Sequence, residues 1–234
     1  MKIEILFPEF CNLYGDLQNM TYLQKCLPEA QFINTDITEV PRFVNEQVNL
    51  VYMGPMTERM QEKVIQKLLP YKTRIIEMIE NNVVFLFTGN AMEILGNYIE
   101  NEDGTKIEAL GIFDVYSKRD MKHRYFGATL GEFENAQIVG FKVTFSFMYR
   151  VNTDNHFLKL QKGVGINKDT KLEGIRKNNF IGTYLIGPIL ILNPLFTKYL
   201  IKLIGSKVDS LAYEQELLDA YEARLDEFKS SKIS

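Results

Sequence analysis

Asn82-Val83-Val84-Phe85-Leu86-Phe87-Thr88-Gly89-Asn90-Ala91-Met92-Glu93-Ile94-Leu95-Gly96 reads as a buried strand, a sharp turn and the start of a helix. The run from Val83 to Phe87 is apolar without interruption and rich in β-branched and aromatic residues, the pattern of a strand covered on both faces. A turn of this kind at a strand's carboxyl end lifts one side chain out beside helix N-terminal amides, where a nucleophile is held exposed. Gly89 stands at the lifted position and has no side chain. The frame of a catalytic site is therefore expected here without its reactive atom.

Short β-rich runs alternate with helical patterns on the amino-terminal side of this turn, which argues for a parallel sheet with helices on both faces. Ile3 to Phe7 reads as the first strand. Leu17, Met20, Leu23 and Leu27 then recur at helical spacing until Pro28. Ala30 to Ile37 and Asn49 to Met53 supply two more strands, and the pattern from Thr57 to Asn81 is helical, with Thr57 as N-cap and a break at Pro70. Beyond Gly104 the β-rich segments Tyr125 to Leu130, Gln137 to Val151 and Phe157 to Leu160 are expected to add antiparallel or mixed strands to the sheet. Phe180 to Tyr184 reads as a last strand, and Asn193-Pro194 opens a helix to about Ile204. Leu211, Leu218, Tyr221, Leu225 and Phe228 form the apolar stripe of a terminal helix capped near Asp209 or Ser210.

The 234 residues suffice for one large domain, and 46% apolar with 24% charged residues is ordinary globular composition. A net charge of −3, with 27 basic residues spread along the chain, gives no clustered basic face for nucleic acid. No apolar run reaches the length of a membrane span, and the opening segment lacks the form of a signal peptide, so the expected location is the cytoplasm. Cys11 and Cys26 fit free thiols in a reducing compartment. His123 and His156 have no zinc-like spacing to cysteine, so neither metal nor cofactor is expected. His123 lies in a charged stretch and His156 follows a turn-forming run, which suits solvent or structural roles. Cys11, with no histidine near it in sequence, reads as an inert small hydrophobe.

Four segments together carry a resemblance: Asn12-Leu13-Tyr14-Gly15-Asp16, the turn from Gly89 to Gly96, Gly165-Ile166-Asn167 with Glu173-Gly174, and Gly182-Thr183-Tyr184-Leu185-Ile186-Gly187-Pro188 with Asn193-Pro194. In this order they resemble the class I glutamine amidotransferases of the cobyric acid synthase-like branch, the glutaminase subunits of lipid II isoglutaminyl synthase in particular. The resemblance implies an α/β fold, a flavodoxin-like three-layer sandwich with a mostly parallel, mixed-edge sheet. It spans residues 1–234 as a single domain ending in a helix at about 211–229.

The chemistry of that family needs a cysteine thiolate, a histidine and an oxyanion site. The resemblance places Gly89 at the cysteine, Ile186 at the histidine, and Thr144 at a second family histidine. Gly54-Pro55 falls at the oxyanion turn, where proline brings no N–H. Gly54, Pro55, Asn90 and Glu93 mark the former oxyanion and pocket region, although Asn90 and Glu93 serve equally as helix-capping groups. The expected protein is a catalytically silent amidotransferase-like chain, for which glutamine binding is not expected. Its implied partner is a Mur-ligase-like synthase subunit or a second copy of itself.

Two alternatives stay open: a relocated nucleophile such as Thr88 or Ser146, and a small-molecule binder using the surviving pocket. Ile186, Ile189, Leu190 and the terminal helix are either a docking surface or core. Restoring Cys at 89 and His at 186 together is expected to return weak thiol acylation, limited by Pro55.

Overall fold

The computed structural model describes residues 1–230. It begins with β1 (Lys2–Leu6), α1 (Gln18–Cys26), β2 (Gln31–Thr35) and β3 (Leu50–Met53). Next come α2 (Glu58–Leu68) and α3 (Lys72–Glu80), separated by a short 3-10 turn at Leu69–Tyr71 where Pro70 interrupts the α-helical bonding. Thr57 caps α2, its hydroxyl accepting the Met60 N–H, and the central strand β4 (Val84–Thr88) follows. β3 and β4 are wholly buried, as their apolar sequence demands, and β1 is buried from Ile3 to Leu6 with Glu4 inside it.

The second half brings β5 (Tyr98–Glu100), β6 (Lys106–Glu108), β7 (Tyr116–Arg119), β8 (Tyr125–Phe133), β9 (Ala136–Thr144), β10 (Ser146–Tyr149) and β11 (Leu158–Lys162). Short strands β12 (Leu172–Glu173), β13 (Ile175–Lys177), β14 (Phe180–Thr183) and β15 (Leu185–Ile186) lead to the helices α4 (Ile189–Leu192), α5 (Pro194–Leu203) and α6 (Glu214–Lys229).

The main sheet has six strands in the order β13-β14-β4-β3-β1-β2, parallel throughout except for the antiparallel edge strand β13. This is the mostly parallel, mixed-edge sheet expected. The strands beyond Gly104 depart from expectation: only β13 and β14 join the main sheet. The others build a four-stranded sheet, β10-β7-β5-β6, and a five-stranded one, β12-β11-β8-β9-β15. The reason is local pairing: β8 and β9 form a long hairpin in register from Tyr125↔Thr144 to Phe133↔Ala136, which satisfies their backbones without the main sheet.

One core cluster joins β3, β4, α2 and α3, and a second joins α1, α4 and α5 to the other face. The terminal helix starts at Glu214, later than the apolar stripe suggested, after Tyr213 in a left-handed conformation, and neither Asp209 nor Ser210 caps it. Glu214 instead accepts the Leu211 N–H at 2.7 Å. Tyr221 and Phe228 of α6 pack on Leu130 and Val139 of the β8-β9 hairpin. Ile186, Ile189 and Leu190 are buried, the last two in the core beneath α1 and α5, so they are packing and not an exposed face.

Candidate functional site

β4 ends at Thr88, the chain turns at Gly89 with φ +58°, and a 3-10 helix runs over Gly89–Leu95. The helix expected after the turn is of this tighter kind. A Cβ on Gly89 would stand 2.5 Å from Cβ of Pro55, closer than real Cβ atoms come, so the proline ring fills the space into which a side chain would project. Pro55 follows β3, the parallel neighbour of β4, which is why the two loops meet. Gly54 beside it permits a close approach, since its Cβ would lie 2.4 Å from the Cys11 carbonyl oxygen.

Asn90 locks this loop. Its Oδ1 accepts from the Met56 N–H at 3.0 Å and its Nδ2 donates to the Met56 carbonyl at 2.8 Å. On the opposite side the Leu13 N–H donates to the Pro55 carbonyl at 3.0 Å. The loop over the turn is thus tied from both flanks.

Below the turn, the buried Asp16 gathers the motif segments. It accepts from the Thr88 hydroxyl and, at 2.8 Å, from the Tyr52 hydroxyl, and the Gly187 N–H faces the same carboxylate. Burial pushes the Asp16 carboxyl above its ordinary range, and these hydrogen bonds work against that rise. Thr88 is fully buried with its hydroxyl donating to Asp16, and it lies outside the wall of the cleft beside the turn. Ile186, adjacent to Gly187, is buried and lies opposite Phe141 in the β15-β9 pair.

A cleft of about 90 Å³ remains beside the turn, with Tyr14, Pro55, Thr57, Asn90, Thr144 and Ser146 in its wall. That is well below the ~300–1,000 Å³ of ordinary small-molecule pockets, yet room for several waters. Thr144 is turned inward on its own strand crossing: its hydroxyl donates to the Ser146 carbonyl at 2.9 Å and accepts the Ser146 N–H at 3.1 Å.

Glu93 neither lines the cleft nor caps the helix. It is buried behind Ser146, accepting from the Ser146 hydroxyl, from the Tyr184 hydroxyl at 2.7 Å and from Gln61 Nε2 at 2.8 Å. Gln61 in turn accepts from Arg119 at 2.8 Å. Burial pushes the Glu93 carboxyl up, while its three hydrogen bonds and Arg119 oppose the rise. Sequence reasoning missed Gln61 and Arg119 because their partners are 32 and 58 positions away, whereas Asp16 and Tyr184 lay in motifs already singled out without the role they play here.

The remaining candidates fall elsewhere. Cys11 is buried with Sγ 3.9 Å from the Met56 sulfur, and burial pushes its thiol far above its ordinary range, which makes it unreactive. His123 is exposed against Asp120 at 2.9 Å, and His156 donates to the Thr153 carbonyl at 2.9 Å. Among the described residues no three His, Cys, Asp or Glu side chains could hold a metal ion, and no helix is long and apolar enough to cross a membrane.

Residues 2–193 match the family model of the CobB/CobQ-like glutamine amidotransferase domain. The chain is 31% identical over 195 residues to the lipid II isoglutaminyl synthase (glutamine-hydrolyzing) subunit GatD of Staphylococcus aureus (strain N315), covering 82% of this chain and 79% of that one. Against the GatD subunit of Streptococcus pneumoniae (strain ATCC BAA-255 / R6) it is 25% identical over 234 residues, 94% of this chain and 90% of that one. A glutamine amidotransferase crystal structure aligns with TM-score 0.57 at 13% identity, covering 86% of this chain and 98% of that one. PurLQS from Thermotoga maritima aligns with TM-score 0.55 at 11% identity, covering 96% and 98%. At these identities the two structures show the fold.

Proposed function

The chain belongs to the CobB/CobQ-like glutamine amidotransferase domain family, and from that premise we propose that it is a glutaminase-silent subunit of an amidating synthase. The observation that carries this reading is Pro55 standing where a side chain on residue 89 would project. A thiolate needs room, a base and amide donors. Here Gly89 brings no atom, Ile186 brings no base, and Pro55 brings no N–H. Asn90 and Leu13 hold the blocking loop in place. Thr144, at the position of a second family histidine, satisfies its hydroxyl within its own turn.

The output left to such a chain is docking. The relatives' names describe a glutamine-hydrolysing subunit of a lipid II isoglutaminyl synthase. By that likeness the partner is an ATP-dependent, Mur-ligase-like synthase acting on a cell-wall precursor in the cytoplasm, with this chain serving as one domain over its length. The small cleft speaks against a drug-sized metabolite as its main ligand.

Affinity purification from native cells, followed by sizing, tests the reading. A stoichiometric complex with such a synthase is expected. A chain that emerges alone and binds a metabolite beside Gly89 at micromolar concentration would replace it with the small-molecule reading.

A further inference from the structure

Four carboxylates are fully buried among the described residues: Glu4, Asp16, Glu93 and Glu173. Glu4 clamps the Arg42 and Phe43 backbone amides and the Thr35 hydroxyl. Asp16 binds the hydroxyls of Thr88 and Tyr52, both fully buried, and Glu173 pairs with the Lys142 ammonium. Glu93 differs from all three, because one of its donors, the Ser146 hydroxyl, belongs to a residue in the cleft wall. Its hydrogen-bond donors are all neutral, and Arg119 reaches it through Gln61. Burying a carboxylate against neutral groups is costly where an apolar side chain would serve packing alone. A cleft-wall hydroxyl within hydrogen-bond reach of a proton acceptor has the geometry by which a hydroxyl nucleophile is activated.

We infer that Ser146 and Glu93 form a second, serine-type acyl-transfer site in the cleft beside Gly89, suited to small acyl esters or amides. Ser146 Oγ attacks the acyl carbon and its proton passes to Glu93 Oε1. The bond to the leaving group then breaks, and Glu93 returns the proton to the departing oxygen or nitrogen. Water hydrolyses the acyl-serine by the same route, giving its proton to Glu93 and restoring Ser146. Tyr184, donating to the same Oε1, and Gln61, donating to Oε2, are positioning residues that fix the carboxylate. Thr57 and Glu58, at the start of α2, also line the cleft, and the positive end of a helix favours a developing oxyanion. A volume of about 90 Å³ limits the acyl group to a short one.

This site is independent of the glutaminase-silent reading, because its nucleophile is neither residue 89 nor a thiol. The test is labelling of the full chain by a biotinylated alkyl fluorophosphonate, with the modified peptide located by mass spectrometry. In that reaction Ser146 Oγ binds phosphorus, fluoride leaves and Glu93 takes the proton. Labelling is expected at Ser146 in the folded protein and is lost on unfolding in urea. Ser146→Ala abolishes it, and Glu93→Gln slows it by about 100-fold or more, the lower range for losing a positioned base. Should Glu93→Gln fail to fold, as read by circular dichroism, Tyr184→Phe is used instead and slows labelling by about tenfold. No labelling at Ser146 in the wild type overturns the proposal. So does unchanged labelling in folded Glu93→Gln, or in Tyr184→Phe where that variant stands in. Ammonia release from glutamine is measured separately, so the two readings fail independently.

Discussion

Glu173 and Glu93 are both fully buried, one between β9 and the β12-β14 strands and the other behind the cleft, and they are neutralised in opposite ways. Glu173 meets the Lys142 ammonium, which also donates to the Gly165 carbonyl at 2.6 Å and the Val164 carbonyl at 3.0 Å. It accepts further from the Tyr184 N–H at 2.8 Å. Glu93 meets two hydroxyls and an amide. The first arrangement ties β9 to β12 within the five-stranded sheet by an ion pair, and Glu173 reaches on to the Thr183 hydroxyl at the end of β14. The second leaves a carboxylate whose charge is only solvated by neighbours, beside the one small cleft next to the turn. A buried charge with a partner is architecture that fails when halved, whereas a buried charge among neutral donors can change its protonation and keep its place.

The largest effect is expected from halving the brace. Lys142→Met leaves Glu173 without its cation and should lower stability by about 3–5 kcal/mol in urea unfolding. A loss under 1 kcal/mol would show that the pair does not brace the fold and erase the contrast. Next comes Gly89→Cys, which places a side chain at φ +58° and against Pro55. The backbone alone costs about 1–2 kcal/mol, with the displaced proline loop in addition. Glu93→Gln keeps shape and loses one acceptor facing Gln61, so about 1 kcal/mol is expected by the same unfolding measurement.

The smallest effect is the response to pH. Burial raises the carboxyls of Glu4, Asp16 and Glu93, so each holds its proton more tightly folded than unfolded. Between the ordinary carboxylate range and those raised values folding takes up protons, and stability therefore rises as pH falls from neutral through that window. It levels off once the unfolded chain is protonated as well. Below that, loss of the lowered carboxylates Glu46, Glu80 and Glu214 reverses the trend. Urea midpoints across pH 4 to 8 check the sign, and Glu93→Gln should flatten the slope.

The amino-terminal half of the fold was legible because strand and helix there each carry one dominant period. Val83 to Phe87 could only be a covered strand, and the Pro70 break and Thr57 cap are short-range signals. The second half resisted because β5, β6, β12, β13 and β15 are two or three residues long, too short for a period to show. Which sheet a strand joined depended on the β8-β9 hairpin, a matter of pairing and not of composition. At the site, Gly89 and Asn90 were marked by the strand-and-turn pattern and Pro55 and Thr144 by the family resemblance, and the structure gathers them about one turn and cleft. Two physical facts had no local signal. Pro55 is not merely a missing N–H but an obstruction, so Gly89→Cys with Ile186→His would still need Pro55→Gly to make room. Glu93 reaches its hydroxyls at separations of 53 and 91 residues, which no spacing rule exposes.

The central claim is that the turn at Gly89 does no glutamine chemistry. It is tested most directly by following ammonia and glutamate release from glutamine with the purified chain, alone and with its captured partner. No release above the protein-free background is expected, since removing the nucleophile of such a unit costs on the order of 10⁶ in rate. Turnover at the rate of an ordinary enzyme, abolished by a substitution at Asn90 or Pro55, would contradict it.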